Sequence, residues 1–201
     1  MTKRFGSLLL LTTCFVIFLA GGIFGQNTLP SPSMTPIPVR GLPPEEWGDE
    51  AFAAGKYETA ISNYRQQWVS WAAGYSEGNA ETQTHRERLA GKMSKALAKL
   101  SKPPVVPDGA VLHGKKGAVF LGKAETLAEG KKAIAEYQDA VNAAPWVFEY
   151  QYGLALALAG NRQYKIAINY TNIARMLAQN DKDRQSALKL QGEIEAEIEM
   201  P

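Results

Sequence analysis

The chain has 201 residues, 45% hydrophobic and 21% charged, with 22 basic and 20 acidic side chains and a single cysteine. That length supports one domain, or two small ones, with a core that needs no disulfide or metal. The balanced charge provides no basic surface of the kind that binds nucleic acid. One cysteine rules out an intrachain disulfide framework and a thiolate zinc cluster.

Lys3 and Arg4 precede a stretch from Leu8 to Ile23 that is apolar or small apart from Thr12 and Thr13, with Ala20-Gly21-Gly22 and Gly25 at its end. This is the three-part layout of an export signal spanning residues 1–25, with cleavage after Gly22 or Gly25. The competing reading is an uncleaved anchor over residues 5–25, although the apolar run falls short of the ~20 residues that span a bilayer. Cys14 lies in the middle of the run, where a lipid-attachment cysteine does not sit. Cleavage removes Lys3, Arg4 and Cys14 and no acid, leaving a neutral, cysteine-free chain with no electrostatic attraction to nucleic acid or anionic membrane. The expected location is periplasmic or extracellular, or the inner membrane if the anchor is retained.

Residues 26–43 form a proline-rich linker. The run 29–44 reads LPSPSMTPIPVRGLPP, holding six of the chain's eleven prolines and no acid. Proline lacks an amide donor and biases its predecessor toward extended geometry, so this segment is expected to be a semi-rigid spacer.

From Pro44 onward good helix formers dominate and no alternating strand pattern emerges. Pro44 followed by Glu45 and Glu46 suits a first helical turn. Helices are expected at 44–54, 57–75, 80–101, 107–124, 128–143, 147–159, 163–179 and 181–198. Gly55, Gly74 to Gly78, Pro103-Pro104 and Ala144-Pro145 are the breaks. Residues 44–199 are therefore predicted to be all-α.

Within them a spacing recurs. Gly48, Gly55, Tyr57, Ala60 and Tyr64 set a small residue, a turn and aromatics at regular intervals. Ala133, Tyr137, Ala140 and Pro145 follow, then Ala155, Tyr164, Ala167 and Ala174; Ala133 and Ala167 are 34 residues apart. In paired helices small residues let the axes approach while an aromatic fills the gap, and each pair leaves a face for the next to cover. These residues resemble the tetratricopeptide repeat, whose unit is ~34 residues. The resemblance implies a short α-solenoid of antiparallel helix pairs in a right-handed superhelix. Its units would span 44–75, 107–145 and 146–179, with 80–101 as a bridging helix and 181–198 as a cap whose apolar side carries Leu188, Ile194 and Ile198. The sequence departs from the pattern at Arg162, where glycine is expected, at Thr171, where a large residue is expected, and at Gln179, which replaces the closing proline.

Tyr64, Trp68, Trp71 and Tyr75 recur at helical spacing on one face, which is either core against 80–101 or an aromatic binding wall. Of Trp146, Phe148, Tyr150 and Tyr152, the first and third share one side and the others face elsewhere. Peptide-gripping members of the family use cations and amides on their first helices. Those positions here are Glu45, Asp49 and Phe52, then Glu149, Tyr152 and Leu156, so a carboxylate clamp is not supported. The resemblance therefore implies a protein or peptide partner held by apolar and aromatic contact, with Trp68, Trp71, Tyr75, Tyr152 and Leu156 as the candidate surface.

No enzyme is expected. His85 and His113 lack any metal-binding spacing, and Thr84-His85-Arg86-Glu87-Arg88 reads as a charged, solvated face. Gly114-Lys115-Lys116-Gly117 lacks phosphate-loop spacing, and no nucleophile motif occurs. No catalytic, cofactor or metal residue is therefore assigned, and the expected role is a scaffold or, with the anchor retained, an assembly subunit of an envelope complex.

Overall fold

Among the residues that the computed structural model describes, 44–74 and 79–199, there are eight α-helices and no strand. Segment 1–25, linker residues 26–43 and Tyr75 lie outside the described residues. The helices are α1 (Pro44–Ala53), α2 (Tyr57–Gly74), α3 (Ala80–Leu97), α4 (Asp108–Lys123), α5 (Leu127–Ala143), α6 (Phe148–Gly160), α7 (Tyr164–Leu177) and α8 (Asp181–Glu199).

Local chemistry sets their ends. Asn79 accepts from the Glu81 amide at 2.8 Å and starts α3. Thr126 and Glu129 form a capping box at α5, each side chain bonding the other's backbone amide. Asn180 accepts from the Asp183 amide at 2.9 Å and starts α8. The third helix stops at Leu97, short of the expected 101, and residues 103–107 run without regular structure, leaving Val105 exposed. Val111, Val119 and Phe120, β-branched and aromatic residues, lie inside α4.

Consecutive helices pack against each other from α4 through α8, and α1, α2 and α3 pack likewise. The two runs meet where α3 packs on α7 and α2 reaches α5, so α3 is a packed element with partners on two sides.

The repeated residues mark the helix crossings. Ala60, Ala133, Ala140, Ala155, Ala167 and Ala174 are all buried. A β-carbon on Gly48 would lie 2.3 Å from the Tyr64 ring, so the absence of a side chain lets α1 approach α2. Tyr137 fills a slot between two helices in the same manner. A β-carbon on Gly117 of α4 would meet its ring at 2.9 Å, and one on Gly153 of α6 at 2.3 Å. Thr171 stands 34 residues after Tyr137, where the repeated spacing calls for a large residue. It is buried and donates to the Ala167 carbonyl at 2.8 Å, so it satisfies its hydroxyl within α7. Pro145 is buried, and its carbonyl accepts from Gln151 Nε2 at 2.8 Å, closing the α5–α6 corner.

The last helix corrects one expectation. Its buried stripe is Ala187, Leu190 and Ile194, while Leu188 and Ile198 are exposed. The stripe follows the three-and-four residue step of a helix, and the small Ala187 occupies an inward position that a search for bulky residues passes over.

Candidate functional site

The aromatic face of α2 divides between core and surface. Trp68 is completely buried, which removes it from the candidate binding surface. Its cover comes from α3, whose Arg86 lies over the Trp68 ring at 5.4 Å and over the Tyr170 ring of α7 at 5.7 Å. Arg86 also donates from Nη1 to the Tyr170 hydroxyl, so a cation inserted from α3 joins α2 to α7. Tyr64 is buried as well, its hydroxyl donating to Asp49 Oδ1 at 2.8 Å. Burial and the Asp49 carboxylate push its phenol well above its ordinary range. Trp71 is half-buried and stacks on His85, with centroids 4.0 Å apart and planes 17° from parallel.

Trp146 is buried ahead of α6, and on the helix Phe148 stacks on Tyr152 with centroids 5.5 Å apart, both half-buried. Tyr150 packs into the face of α4, where a β-carbon on Gly114 would come within 2.4 Å of its ring. Tyr152 and Leu156 are half-buried and rest against the core, and Glu149 is exposed. Trp71, Tyr152 and Leu156 are thus the candidate surface residues that keep solvent contact among those described.

Beside Trp71, the cleft between α1, α2 and α3 has a volume of about 380 Å³ and is lined by Glu45, Glu46, Asp49, Gln67, Trp71, His85 and Arg88. Charge organises it. Lys92 Nζ lies 2.8 Å from Glu45 Oε1 and 2.6 Å from Asp49 Oδ2, and Arg88 Nη2 lies 2.8 Å from Glu45 Oε2. Burial pushes the Glu45 and Asp49 carboxyls up. Hydrogen bonds and charge from Lys92, with Arg88 and, for Asp49, the Tyr64 hydroxyl, outweigh it and hold both below the usual carboxylate range. For Lys92 the balance is the mirror image, desolvation opposing and two carboxylates prevailing, so its pKa is raised. Both acids are therefore engaged by α3, and the first-unit positions Glu45 and Asp49 form an interhelix latch.

His85 corrects a second expectation. The Thr84–Arg88 segment was expected to be solvated, yet His85 and Arg86 are 5% and 3% exposed. Counting back from buried Leu89 in helical steps reaches Arg86, His85 and Thr82, all of which face inward. His85 Nδ1 lies 2.6 Å from Arg88 Nη2, and Nε2 is buried with no hydrogen-bond partner. A guanidinium can only donate, so Nδ1 accepts and the neutral ring carries its proton on Nε2. Desolvation, and then the Arg88 charge, lower the pKa of the ring. His113 is tied to α5 instead, with Nδ1 at 2.7 Å from Glu136 Oε2. The signal that reveals His85 and Arg86 is positional: the helical register outranks the polarity of the side chain.

No group of three or more His, Cys, Asp or Glu side chains among the described residues is placed to hold a metal ion. Among the same residues no helix is long and apolar enough to cross a membrane. No protein-family model and no curated protein matches this chain.

Proposed function

We propose that this chain is a non-enzymatic scaffold of the tetratricopeptide-repeat kind, exported through residues 1–25, that binds a protein or peptide partner on a solenoid surface. One observation carries the reading. The crossing of paired helices recurs with the same physical device, a tyrosine of the second helix packed on a side-chain-free glycine of the first, at Gly48–Tyr64 and again at Gly117–Tyr137. Recurring helix pairs that need neighbours to cover them are the building principle of protein-binding arrays. The face formed by Glu149, Tyr152 and Leu156 of α6 serves as the recognition surface, with Trp71 as a second contact. Recognition rests on shape and aromatic contact, because the chain beyond residue 25 carries no net charge.

Affinity purification of the tagged protein from envelope extracts, with partner identification, tests this reading. A defined partner retained by the native chain and lost with Leu156→Asp supports it, provided the variant remains helical. A protein that purifies alone at every stage contradicts it. N-terminal sequencing of the same preparation separates export from anchoring. A start after Gly22 or Gly25 gives the released scaffold, and an intact Met1 or Thr2 gives the membrane-anchored assembly subunit.

A further inference from the structure

The α4–α8 run ends in two helices whose outward faces differ in charge. On α4 the buried side is Ala110, Gly114 and Gly117. Directly opposite lie Leu112, Lys116, Val119 and Lys123, all exposed, with Leu112 and Val119 each 52% accessible. Lys115 flanks them, and Lys123 sits in the last turn. Two large aliphatic side chains among lysines thus stand on a helix that packs on α5 and α6 from its other side.

At the far end, α8 buries Ala187, Leu190 and Ile194 and turns outward Leu188, Gly192, Glu195 and Glu199. The steps are four, three and four residues, the same as on α4. Glu193, turned toward Tyr152 of α6, and Glu197 stand off this stripe and add to the negative charge of the same two turns. The last two turns of α8 are therefore crowded with glutamates and hold no basic residue in the final turn. Acids at a helix C-terminus oppose the helix dipole, and acids three or four residues apart repel one another, so this arrangement costs stability in the isolated chain. Lys189, 3.8 Å from Glu193, offsets only part of it. Gly192 adds a second unexplained cost. A glycine inside an exposed helix destabilises by ~1 kcal/mol relative to alanine, and a β-carbon there would meet nothing within 4 Å. Both costs are recovered if a basic helix with aliphatic side chains lies close along the α8 face.

We infer that the lysine- and leucine-bearing face of α4 in one copy docks on the glutamate-rich outer face of α8 in a second copy, joining chains head to tail. The two surfaces differ, so the contact is heterologous: each docked pair still presents one free α4 face and one free α8 face. Association therefore proceeds in open, concentration-dependent steps, favoured at low salt because its charged component is exposed and screened. This contact uses neither Trp71 nor the α6 face, so it leaves the partner-binding surface free and stands independently of it.

Charge reversal tests the inference in the full-length chain, purified in one detergent throughout so that any association through residues 1–43 is common to all samples. The variants are Lys116→Glu with Lys123→Glu, and Glu195→Lys with Glu199→Lys. All four positions are exposed, and circular dichroism checks that helicity is retained. Sedimentation velocity of the unaltered chain should show a mass-dependent series of oligomers at low salt that collapses as salt rises. Each variant alone should associate about tenfold more weakly or not at all. An equimolar mixture of the two should recover association, because it restores one native and one charge-swapped contact. A native chain that stays a single species, association that persists unchanged in both variants, or loss without recovery in the mixture would each overturn the inference.

Discussion

Arg162 occupies the same left-handed place in the α6–α7 turn that Gly55 occupies between α1 and α2, with φ of 61° against 73°. The hydrogen bonds agree as well. The Lys56 and Gln163 amides reach back to Ala51 and Leu158 at 2.8 and 2.9 Å, and the Gly55 and Arg162 amides to Phe52 and Ala159 at 3.0 and 2.9 Å. Both turns are Schellman closures, which favour glycine because a β-carbon is strained at positive φ. Arg162→Gly should therefore raise stability by ~0.5–1 kcal/mol, strain relief exceeding the added freedom of the unfolded chain. Gly55→Ala should lower it by about 1 kcal/mol. Urea midpoints of the two variants check the pair, and equal shifts of one sign would contradict the common turn.

The slot holding Tyr137 makes a second prediction. Gly153→Ala places a β-carbon 2.3 Å from that ring, forcing α5 and α6 apart. The cost should be ~1–3 kcal/mol. Gly91→Ala, in α3 with nothing within 4 Å, should instead stabilise by ~0.5–1 kcal/mol. Combining Gly153→Ala with Tyr137→Leu should cost less than the sum of the separate changes, and strict additivity would show that the two residues do not compete for the slot.

Tyr170→Phe probes the docking of α3 on α7. It removes the acceptor for Arg86 Nη1 in a buried setting and should cost ~1.5–3 kcal/mol, the range for a hydrogen bond to a charged group. A change below about 0.5 kcal/mol, typical of a surface substitution, would place Arg86 elsewhere.

Acid should act through His85. Its folded pKa lies below the ordinary 6.5, so the unfolded chain takes up a proton first as pH falls. Stability then declines below about pH 6.5 and levels off once pH passes the folded value. Glu45 and Asp49 act in a lower window: their contribution is complete above the ordinary values of 4.5 and 3.8 and is lost as pH falls from there through the depressed folded values. His85→Gln should flatten the upper part of the stability profile and leave the lower part in place. A profile unchanged between pH 6.5 and 5 would rule out His85 as its source.

The helices were legible because their punctuation is chemical: glycine and proline at the breaks, and Glu45 and Glu46 after Pro44 in a first turn. The repeat residues were legible because alanine at a crossing and tyrosine in a gap are packing requirements with fixed spacing. The charged segment at the start of α3 was not, since residue type pointed to solvent while helical register pointed to the core. Trp68 was ambiguous for a related reason: a ring on a helix face is core or surface depending on whether another helix covers it, and that depends on the long-range packing of α3. The latch of Glu45, Asp49 and Lys92 joins residues more than 40 positions apart, a contact that no local pattern announces.

The scaffold reading is tested most directly by a photo-crosslinking residue placed at Glu149, exposed on α6 beside Tyr152 and Leu156, with one at exposed Thr59 of α2 for comparison. In producing cells Glu149 should yield a discrete adduct of defined mass with a second protein, and Thr59 should not. No adduct at Glu149, or equal adducts at both positions, would contradict a partner-binding surface on α6.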